Sequence, residues 1–318
     1  MGRVAPIAPA IAFAGLAVRP LVLIPLQHLV GLDAVLYATA ARAWLTGGDP
    51  WRTTIEWGNL GGVVAFAAPP PALLLFAPFA FLPAWLTAVT WITADAVVMV
   101  LVMRNLRLPW WWLLFPPFLT AFGLGNPEPV VLGLLVLGGG RLAAVAPLLK
   151  IYAIAPLVGE RRWRVLVVAV VLLGATAVLL PWGTFVADLD WIRYVITDQS
   201  QGGLSATSVP VLLPFAVVAL AALGWRRACW LAVPVLWPYS QPHYALIAMP
   251  VLTPLVAVAS SISVPGATAV GVILQALWEW RARIRHAWTH GMPRPDAGAR
   301  DAPTQTDPAL HDGVKPDT

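Results

Sequence analysis

The chain has 318 residues, of which 59% are hydrophobic and only 11% carry a charge. Soluble domains usually carry about a quarter charged residues, so this composition excludes a water-soluble protein and predicts a polytopic integral membrane protein. The net charge of +5 does not indicate nucleic-acid binding, because the basic residues form short clusters between apolar runs, a pattern typical of cytoplasmic loops. The single cysteine, Cys229, excludes an intramolecular disulfide and a metal site of several thiolates.

The first apolar run predicts a membrane span over residues 4–29, with an interruption at Arg19-Pro20. A polar first loop, residues 31–62, follows and lies on the outer face if the N-terminus is cytoplasmic. Within this loop, residues 33–44 are alanine-rich and compatible with a helix. The sequence Gly47-Gly48-Asp49-Pro50 then predicts the end of that helix and a turn.

The next apolar run, residues 63–83, contains three consecutive prolines, Pro69 to Pro71, which cannot lie inside a regular helix. We therefore predict a half-helix or an interfacial segment on the outer side rather than a full span. Residues 84–103 then form a span that runs inward. This choice places Arg104 and Arg107 on the cytoplasmic side, as the distribution of basic residues in membrane proteins requires.

The middle of the chain predicts irregular helices. Residues 109–124 run outward to an outer turn at 125–128, and residues 129–140 return as a short helix. Residues 142–158 are too short to cross twice and have arginines on both sides, so we predict a broken or re-entrant helix with Lys150 at depth. Such backbone is tolerated in a membrane only where protein or a cavity shields it.

The remaining apolar runs continue the alternation and end in a polar tail. A second outer loop, residues 182–207, carries Asp188, Asp190 and Asp198, which we interpret as a solvated face. The total is about eight to ten transmembrane or re-entrant helices in an all-α membrane domain, residues 1–280, followed by a disordered cytoplasmic tail, residues 281–318. The predicted later spans are 165–181, 208–224, 228–237 and 244–262, with 267–280 as a further span or an interfacial helix.

The first loop contains the most informative polar residues. At 100° per residue, Asp33, Tyr37 and Trp44 fall on one side of the predicted helix, and Arg42 falls on the opposite side. Taken alone, Asp33 fits the N-cap of that helix. Asp49 fits a turn residue, because Gly-Gly-Asp-Pro is a sequence that ends helices.

Taken in order, several motifs resemble the family-87 glycosyltransferases, which are polyprenyl-phosphate-mannose-dependent enzymes of the GT-C class. In that family an aromatic usually stands where this chain has Ala68, and the chain is short for the class. The motifs that carry the resemblance are Asp33 with Tyr37, Gly47-Gly48-Asp49-Pro50-Trp51, Ala68-Pro69-Pro70, Ala77-Pro78, Leu82-Pro83, Gly125-Asn126, Leu149-Lys150-Ile151-Tyr152 with Pro156, Arg161-Arg162-Trp163-Arg164 and Tyr239-Ser240-Gln241-Pro242-His243-Tyr244.

The resemblance implies a GT-C-like helical bundle with an outer-face first loop in a bacterial inner membrane. It implies transfer of a hexose, with mannose as the expected sugar, from a polyprenyl-phosphate donor to a lipid or glycan acceptor. Membrane lipids are the other expected partners, and no nucleic acid and no cofactor are expected. No residue is predicted as a metal ligand, and the use of a divalent metal stays open. The resemblance makes Asp33 the catalytic base. The expected substrate-binding residues are Tyr37, Asp49, Lys150, His243 and Tyr244.

The chemistry fits these residue types independently. A polyprenyl phosphate is already a good leaving group, so an inverting transfer needs one base and no general acid. The negative charge that develops on the phosphate needs a nearby cation. Three residues are candidates for that cation: Lys150, His243 and Arg52.

Alternative interpretations remain open for several residues. Lys150 could extend its ammonium to the cytoplasmic interface. Asp95, in the middle of a span, could be functional or could pair with Arg19 for structure alone. Asn126-Pro127-Glu128 is also a good helix start in its own right. At the level of the whole protein, the alternatives are a transporter or lipid-handling protein and a catalytically inactive GT-C-like scaffold.

Overall fold

The structure, a computed structural model of the chain, describes residues 7–56, 63–200 and 203–290. The α-helices in these ranges are α1 (Ile7–Leu26), α2 (Leu32–Leu45), α3 (Pro71–Phe76), α4 (Ala84–Leu106), α5 (Pro116–Leu124), α6 (Glu128–Leu137), α7 (Ala146–Leu149), α8 (Ile154–Gly159), α9 (Trp163–Leu179), α10 (Trp182–Ala187), α11 (Leu189–Ser200), α12 (Leu213–Leu223), α13 (Trp225–Leu236), α14 (Pro254–Ser261) and α15 (Ala267–His290). Short 3-10 helices occupy Ala77–Phe79, Trp110–Leu114, Leu142–Val145, Ile151–Ala153, Ala206–Ser208, Pro210–Leu212 and Pro242–Val251.

A small hairpin departs from the predicted all-α architecture. Strand β1 (Thr54–Glu56) pairs antiparallel with β2 (Val63–Ala65), and Ile55 lies opposite Val64. Both strands are rich in β-branched residues, which favour extended backbone. The hairpin extends the first loop beyond α2.

Among the described residues, two helices, α1 and α4, are long and apolar enough to cross a membrane. The pair α5 and α6 passes the same test together but is bent by 116° at the break between them. The predicted spans near the N-terminus and over residues 84–103 are thus confirmed as long apolar helices. The predicted total number of crossings stays a prediction.

The backbone of α1 corrects one expectation. The helix continues through Pro20 and Pro25, so the predicted interruption at Arg19-Pro20 is wrong. A proline removes one backbone hydrogen bond without ending a helix when neighbouring elements support the chain. Helices α5 and α14 provide that support, because both pack against α1.

Two proline-rich or short segments fold as the sequence predicts. Residues 63–83 contain β2, the two-turn helix α3 and a 3-10 turn, and therefore no spanning helix. Residues 142–158 form a broken helix in which α7 ends at Leu149 and α8 begins at Ile154. Lys150 lies in the break with extended backbone, at φ −142° and ψ 108°.

The second half of the chain differs from the prediction in two places. The second loop is not irregular: residues 182–200 form α10 and α11. The predicted span 244–262 is divided between the 3-10 helix Pro242–Val251 and α14, because Pro250 and Pro254 prevent one continuous α-helix.

By backbone contacts the chain divides into two units, Met1–Leu277 and Trp278–Thr318. The first unit contains all of α1 to α14 and the hydrophobic core. In the second unit α15 continues to His290. The sequence instead predicts a disordered tail from residue 281, so the helix extends into the first ten residues of that predicted tail. The rest of that predicted tail, residues 291–318, lies outside the described residues.

Candidate functional site

A polar cavity of about 170 Å³ brings together most of the predicted site residues. It lies between α2, the break between α5 and α6, the segment around residue 150 and the 3-10 helix Pro242–Val251. Asp49, the sixth predicted site residue, is not on its lining. The predicted residues that do line it are Asp33, Tyr37, Lys150, His243 and Tyr244. We call this cavity the site pocket.

Glycines at two helix ends place Asp33 in the site pocket. Gly31, at φ +77°, precedes α2 and donates its N–H to the carbonyl of Gly123 at 2.9 Å. A Cβ at Gly31 would lie 2.4 Å from that of Ala88, so only glycine allows this approach. Gly125 ends α5 at φ +65° and lies against the start of α2. The close packing therefore sets the first turn of α2 beside the α5–α6 break.

The break between α5 and α6 holds the Asp33 carboxylate. The Asn126 side-chain amide donates to Asp33 Oδ2 at 2.6 Å, and the Asn126 Oδ1 accepts from the backbone N–H of Glu128 at 3.2 Å. Asp33 makes no cap of its own, because Gly31 is the N-cap residue of α2 and no side chain caps it. The N-cap interpretation of Asp33 is thus wrong. A helix does start at this point with Glu128 in its first turn, as predicted, but its N-cap residue is Pro127 and not Asn126.

The surroundings of Asp33 favour a stronger base than an exposed aspartate. Burial raises the pKa of its carboxyl, while the hydrogen bond from Asn126 and the charge of Lys150 act in the opposite direction. The net pKa lies above its ordinary value. A carboxylate with a raised pKa holds an abstracted proton more firmly than an exposed aspartate does.

Lys150 is held by two aromatic rings and one acid. Its Nζ lies 3.8 Å from Glu128 Oε1, and the Tyr152 hydroxyl donates to the same oxygen. The ammonium also lies over the rings of Tyr37 and Tyr244, 5.7 and 5.8 Å from their centroids. Glu128 is fully buried, and its Oε2 has no hydrogen-bond partner among the described residues. Lys150 therefore does not extend to an interface but faces the site pocket.

Lys150 is also the one predicted cation that keeps its charge on the pocket lining. His243 is buried, and burial together with the charge of Lys150 lowers its pKa well below the ordinary value, so its imidazole is neutral. Arg52 is bound elsewhere: its Nε donates to Asp188 Oδ1 at 2.8 Å, and its guanidinium lies 5.0 Å from the Trp191 ring. Asp188 is buried in that pair, so its predicted role in a solvated face is wrong.

Asp49 has a structural role in the first loop. Its carboxylate accepts from the backbone N–H groups of Trp51 and Arg52, which forms the predicted turn. The turn directs Trp51 into the protein, where it is fully buried and its Nε1 donates to the carbonyl of Ala68 at 3.0 Å. Trp191 of α11 donates to the Trp51 carbonyl at 2.9 Å. The Gly-Gly-Asp-Pro-Trp sequence thus joins the first loop to α11.

Two apolar cavities adjoin the site pocket. The larger, of about 600 Å³, lies along α9 to α11 and contains Phe185, Ile192 and Arg193. The smaller, of about 390 Å³, lies between α8 and α13. Both cavities share Ile151 and Trp237 with the site pocket. A polar centre beside apolar cavities can bind a molecule with a polar head and a hydrocarbon chain.

The buried acid on α4 does not line the site pocket, although it interacts electrostatically with Glu128 and Asp33. Asp95 is fully buried, and neither of its carboxylate oxygens has a hydrogen-bond partner among the described residues. The predicted pairing with Arg19 is wrong, because Arg19 lines a different cavity beside α5 and α14. Within the described ranges, no group of three or more His, Cys, Asp or Glu side chains is placed to hold a metal ion.

Sequence reasoning missed part of the pocket. The sequence pattern favours Glu128 as part of a helix start. An acidic residue at the start of an apolar helix can also be the counterion of a buried cation. Tyr152 belongs to the motif Leu149-Lys150-Ile151-Tyr152. Its position two residues after Lys150 is a sequence indication that its side chain lies near that lysine. Trp237 and Gln241 also line the pocket. In the sequence Trp237 looks like any interfacial tryptophan, and Gln241 is one residue of a longer loop motif.

Comparison with known proteins gives one family. The model of glycosyltransferase family 87 matches residues 66–261, which is more than half of the chain. This range includes Asn126, Glu128, Lys150 and His243, while Asp33 lies before it. No curated protein and no solved structure matches the chain.

Proposed function

The chain belongs to glycosyltransferase family 87, and on that premise we propose that this membrane glycosyltransferase moves mannose from a polyprenyl-phosphate donor to the hydroxyl of a lipid or glycan acceptor. The observation that carries the proposal is the meeting of an anchored carboxylate, Asp33, and a paired cation, Lys150, in one pocket beside apolar cavities. These are the two groups that the transfer requires.

Asp33 acts as the general base. Asn126 holds Oδ2 of the carboxylate at 2.6 Å, which leaves Oδ1 for the acceptor hydroxyl. As the acceptor oxygen attacks the anomeric carbon, its proton passes to Asp33. The carbon–oxygen bond to the phosphate breaks on the opposite side, and its electron pair stays on the phosphate oxygen.

Lys150 stabilises the charge that the leaving phosphate gains. A phosphodiester carries one negative charge, and the released phosphate monoester carries up to two. A preorganised ammonium near the breaking bond therefore binds the transition state more tightly than the donor, which accelerates the reaction. The salt bridge to Glu128 and the rings of Tyr37 and Tyr244 keep that ammonium in position before the donor binds.

The apolar cavities accommodate the hydrocarbon chains. We assign the polyprenyl chain to the larger cavity along α9 to α11, because it adjoins the site pocket through Ala67, Ile196 and Tyr244. Its lining is apolar apart from Arg193 and the polar ends of tyrosine and tryptophan side chains, which suits a prenyl chain with a phosphate at one end. His243, as a neutral imidazole on the pocket lining, is suited to a hydrogen bond with a sugar hydroxyl.

The membrane orientation is part of the proposal. We place the site pocket at the outer face of a multi-pass protein in a bacterial inner membrane. Arg104 lies in the last turn of α4, and Arg161 and Arg162 precede α9, so both basic clusters fall where cytoplasmic loops are proposed. Asp33 follows α1 at the opposite end of the membrane domain.

A transfer assay tests the function. The full chain in lipid nanodiscs is supplied with labelled polyprenyl-phosphate mannose and a native lipid extract. We expect label in a new product with the wild type and none above background with Asp33→Asn. Asp49→Asn, which alters a turn outside the site pocket, is the matched control and is expected to retain most activity. Equal transfer by wild type and Asp33→Asn would overturn the base assignment, and labelling only from another sugar donor would overturn mannose.

A further inference from the structure

A second cavity, of about 360 Å³, lies between α1, α5 and the end of α14. Arg19 is the one charged residue on its lining. Arg19 lies in α1, one of two helices among the described residues that are long and apolar enough to cross a membrane, and its side chain is exposed on the protein surface. At 1.5 Å per residue it lies roughly 10 Å along the helix axis from the end at Leu26. A positive charge therefore stands on the exposed surface of an apolar helix.

Arg19 has no counterion from the described part of the chain. No carboxylate in the described ranges lies within ion-pair distance of it, and Asp95, its predicted partner, is elsewhere. An uncompensated charge at this depth is costly, and the cavity beside it provides room for an anion.

Three of the hydroxyl groups on the lining of the cavity are available as acceptors. Ser260 and Ser261 donate their hydroxyl hydrogens to backbone carbonyls one turn earlier, at 2.8 Å each, and Thr120 does the same at 2.9 Å. Their oxygens thus remain free to accept. The carbonyl of Leu16 is a further acceptor, because Pro20 has no N–H to bond to it. Hydroxyl groups of a ligand, rather than its phosphate oxygens, fit these positions.

From this combination we infer that the cavity binds an anionic phospholipid of the bilayer. Its phosphate lies at Arg19, its headgroup hydroxyls donate to the oxygens of Ser260 and Ser261, and its acyl chains lie along α1. The site is distinct from the site pocket, although Pro242 lines this cavity and the next residue, His243, lines the site pocket. The inference goes beyond the transfer reaction, since lipid binding here requires neither donor nor acceptor.

Phosphatidylglycerol, which has a phosphate and two headgroup hydroxyls, is the probe. The full chain is placed in phosphatidylcholine nanodiscs without donor, and bound phosphatidylglycerol is counted by native mass spectrometry across a titration. We expect one tightly bound lipid on the wild type and binding weakened at least about tenfold by Arg19→Gln, because a charge-assisted contact is lost. Arg42→Gln removes an exposed arginine outside the cavity and is the control that should bind like the wild type.

A second variant fills the cavity without changing its charge. Gly15 lines the cavity, and a Cβ added there meets nothing within 4 Å. Gly15→Leu should fold, because leucine favours a helix more than glycine does, and should displace the lipid. If Arg19→Gln fails to fold, this variant carries the test.

Three outcomes would overturn the inference. The first is wild-type affinity in both Arg19→Gln and Gly15→Leu. The second is equal affinity for phosphatidic acid, which lacks the headgroup hydroxyls. The third is displacement of phosphatidylglycerol by polyprenyl phosphate, which would assign the cavity to the lipid-linked donor instead. Because no turnover is measured, failure here leaves the transfer proposal intact, and the reverse is also true.

Discussion

Asp33 and Asp95 are two buried aspartates of the same membrane domain, and they have very different surroundings. Asp33 accepts a hydrogen bond from Asn126 and lies on the lining of a cavity that Lys150 also lines. Asp95 lies on the buried face of α4, where Thr87 and Trp91 also have polar atoms without partners among the described residues. The first carboxyl group is anchored and accessible, and the second is neither.

A charged residue within an apolar sequence therefore does not identify a functional site by itself. The general rule for ionisable residues in membranes marks Lys150 and Asp95 equally. Lys150 is accompanied by a counterion, two aromatic rings and a cavity. Asp95 has none of these in the described structure. Lys150 differs from Asp95 in that it lines a cavity. Substitutions of the residues on and off the cavity lining test whether this difference matters for transfer.

The largest expected effect is on the accessible aspartate. Asp33→Asn keeps the shape and the contact with Asn126 but removes the base, so the transfer rate should fall by about a thousandfold. Asp95→Asn should change the rate by less than about twofold, since Asp95 does not line the site pocket. Initial rates in nanodiscs measure both. A loss at Asp95 as large as the loss at Asp33 would end the distinction between them.

The second effect tests the cation. Lys150→Met should lower kcat by about a hundredfold or more, because the phosphate loses its electrostatic stabilisation. The same change leaves the Glu128 carboxylate buried without its partner, which should cost about 3 kcal/mol of folding stability. Thermal melting and initial rates are measured together.

The double variant Lys150→Met/Glu128→Gln separates these two losses. Replacing the acid by a neutral amide should restore much of the melting temperature but none of the activity. Recovery of both would mean that Lys150 supports the fold and does not act on the phosphate.

The third effect concerns pH. The hydrogen bond from Asn126 lowers the pKa of Asp33 against the raising effect of burial. Activity requires the carboxylate, so it is present above that pKa and is lost as the pH falls through it. Asn126→Ala should therefore move the acid limb of the kcat/KM profile to higher pH, while Asp95→Asn should leave the limb in place. If the acid limb did not move in Asn126→Ala, the limb would not report the pKa of Asp33.

The smallest effect is a gain in stability. Asp95→Leu replaces a buried carboxyl without partners by an apolar group of similar size, which removes a desolvation cost. We expect the melting temperature to rise by about 2–4 °C, with transfer activity unchanged. A fall in melting temperature would show that Asp95 has a stabilising partner in the membrane.

The sequence predicts the backbone better than it predicts contacts across the fold. The apolar run of α4, the Gly-Gly stop after α2 and the prolines of residues 63–83 each act locally, so their consequences can be read from neighbouring residues. The β-hairpin and the helices of the second loop were missed. Both are stabilised by distant partners, for example the pair of Arg52 with Asp188.

The candidate site shows the same difference between features that can be predicted locally and contacts that depend on the fold. Asp33, Lys150 and His243 could be identified from residue type, position and resemblance. The pairing of Lys150 with Glu128 and the neutral state of His243 could not, because both depend on burial that arises only when α6 and the 3-10 helix Pro242–Val251 pack together. The same limit explains the wrong partner predicted for Asp95.

The bond between Asn126 and Asp33 joins residues 93 positions apart, and Lys150 and His243 follow later still. A ribosome therefore releases α1 and α2 long before the groups that complete the site pocket have been synthesised. During that interval Asp33 lies beside a nascent, half-inserted chain, with no amide to orient it and no cation nearby. On the proposed mechanism, competence for transfer thus arises as a late event of membrane insertion, and we expect a chain truncated before residue 243 to be inactive.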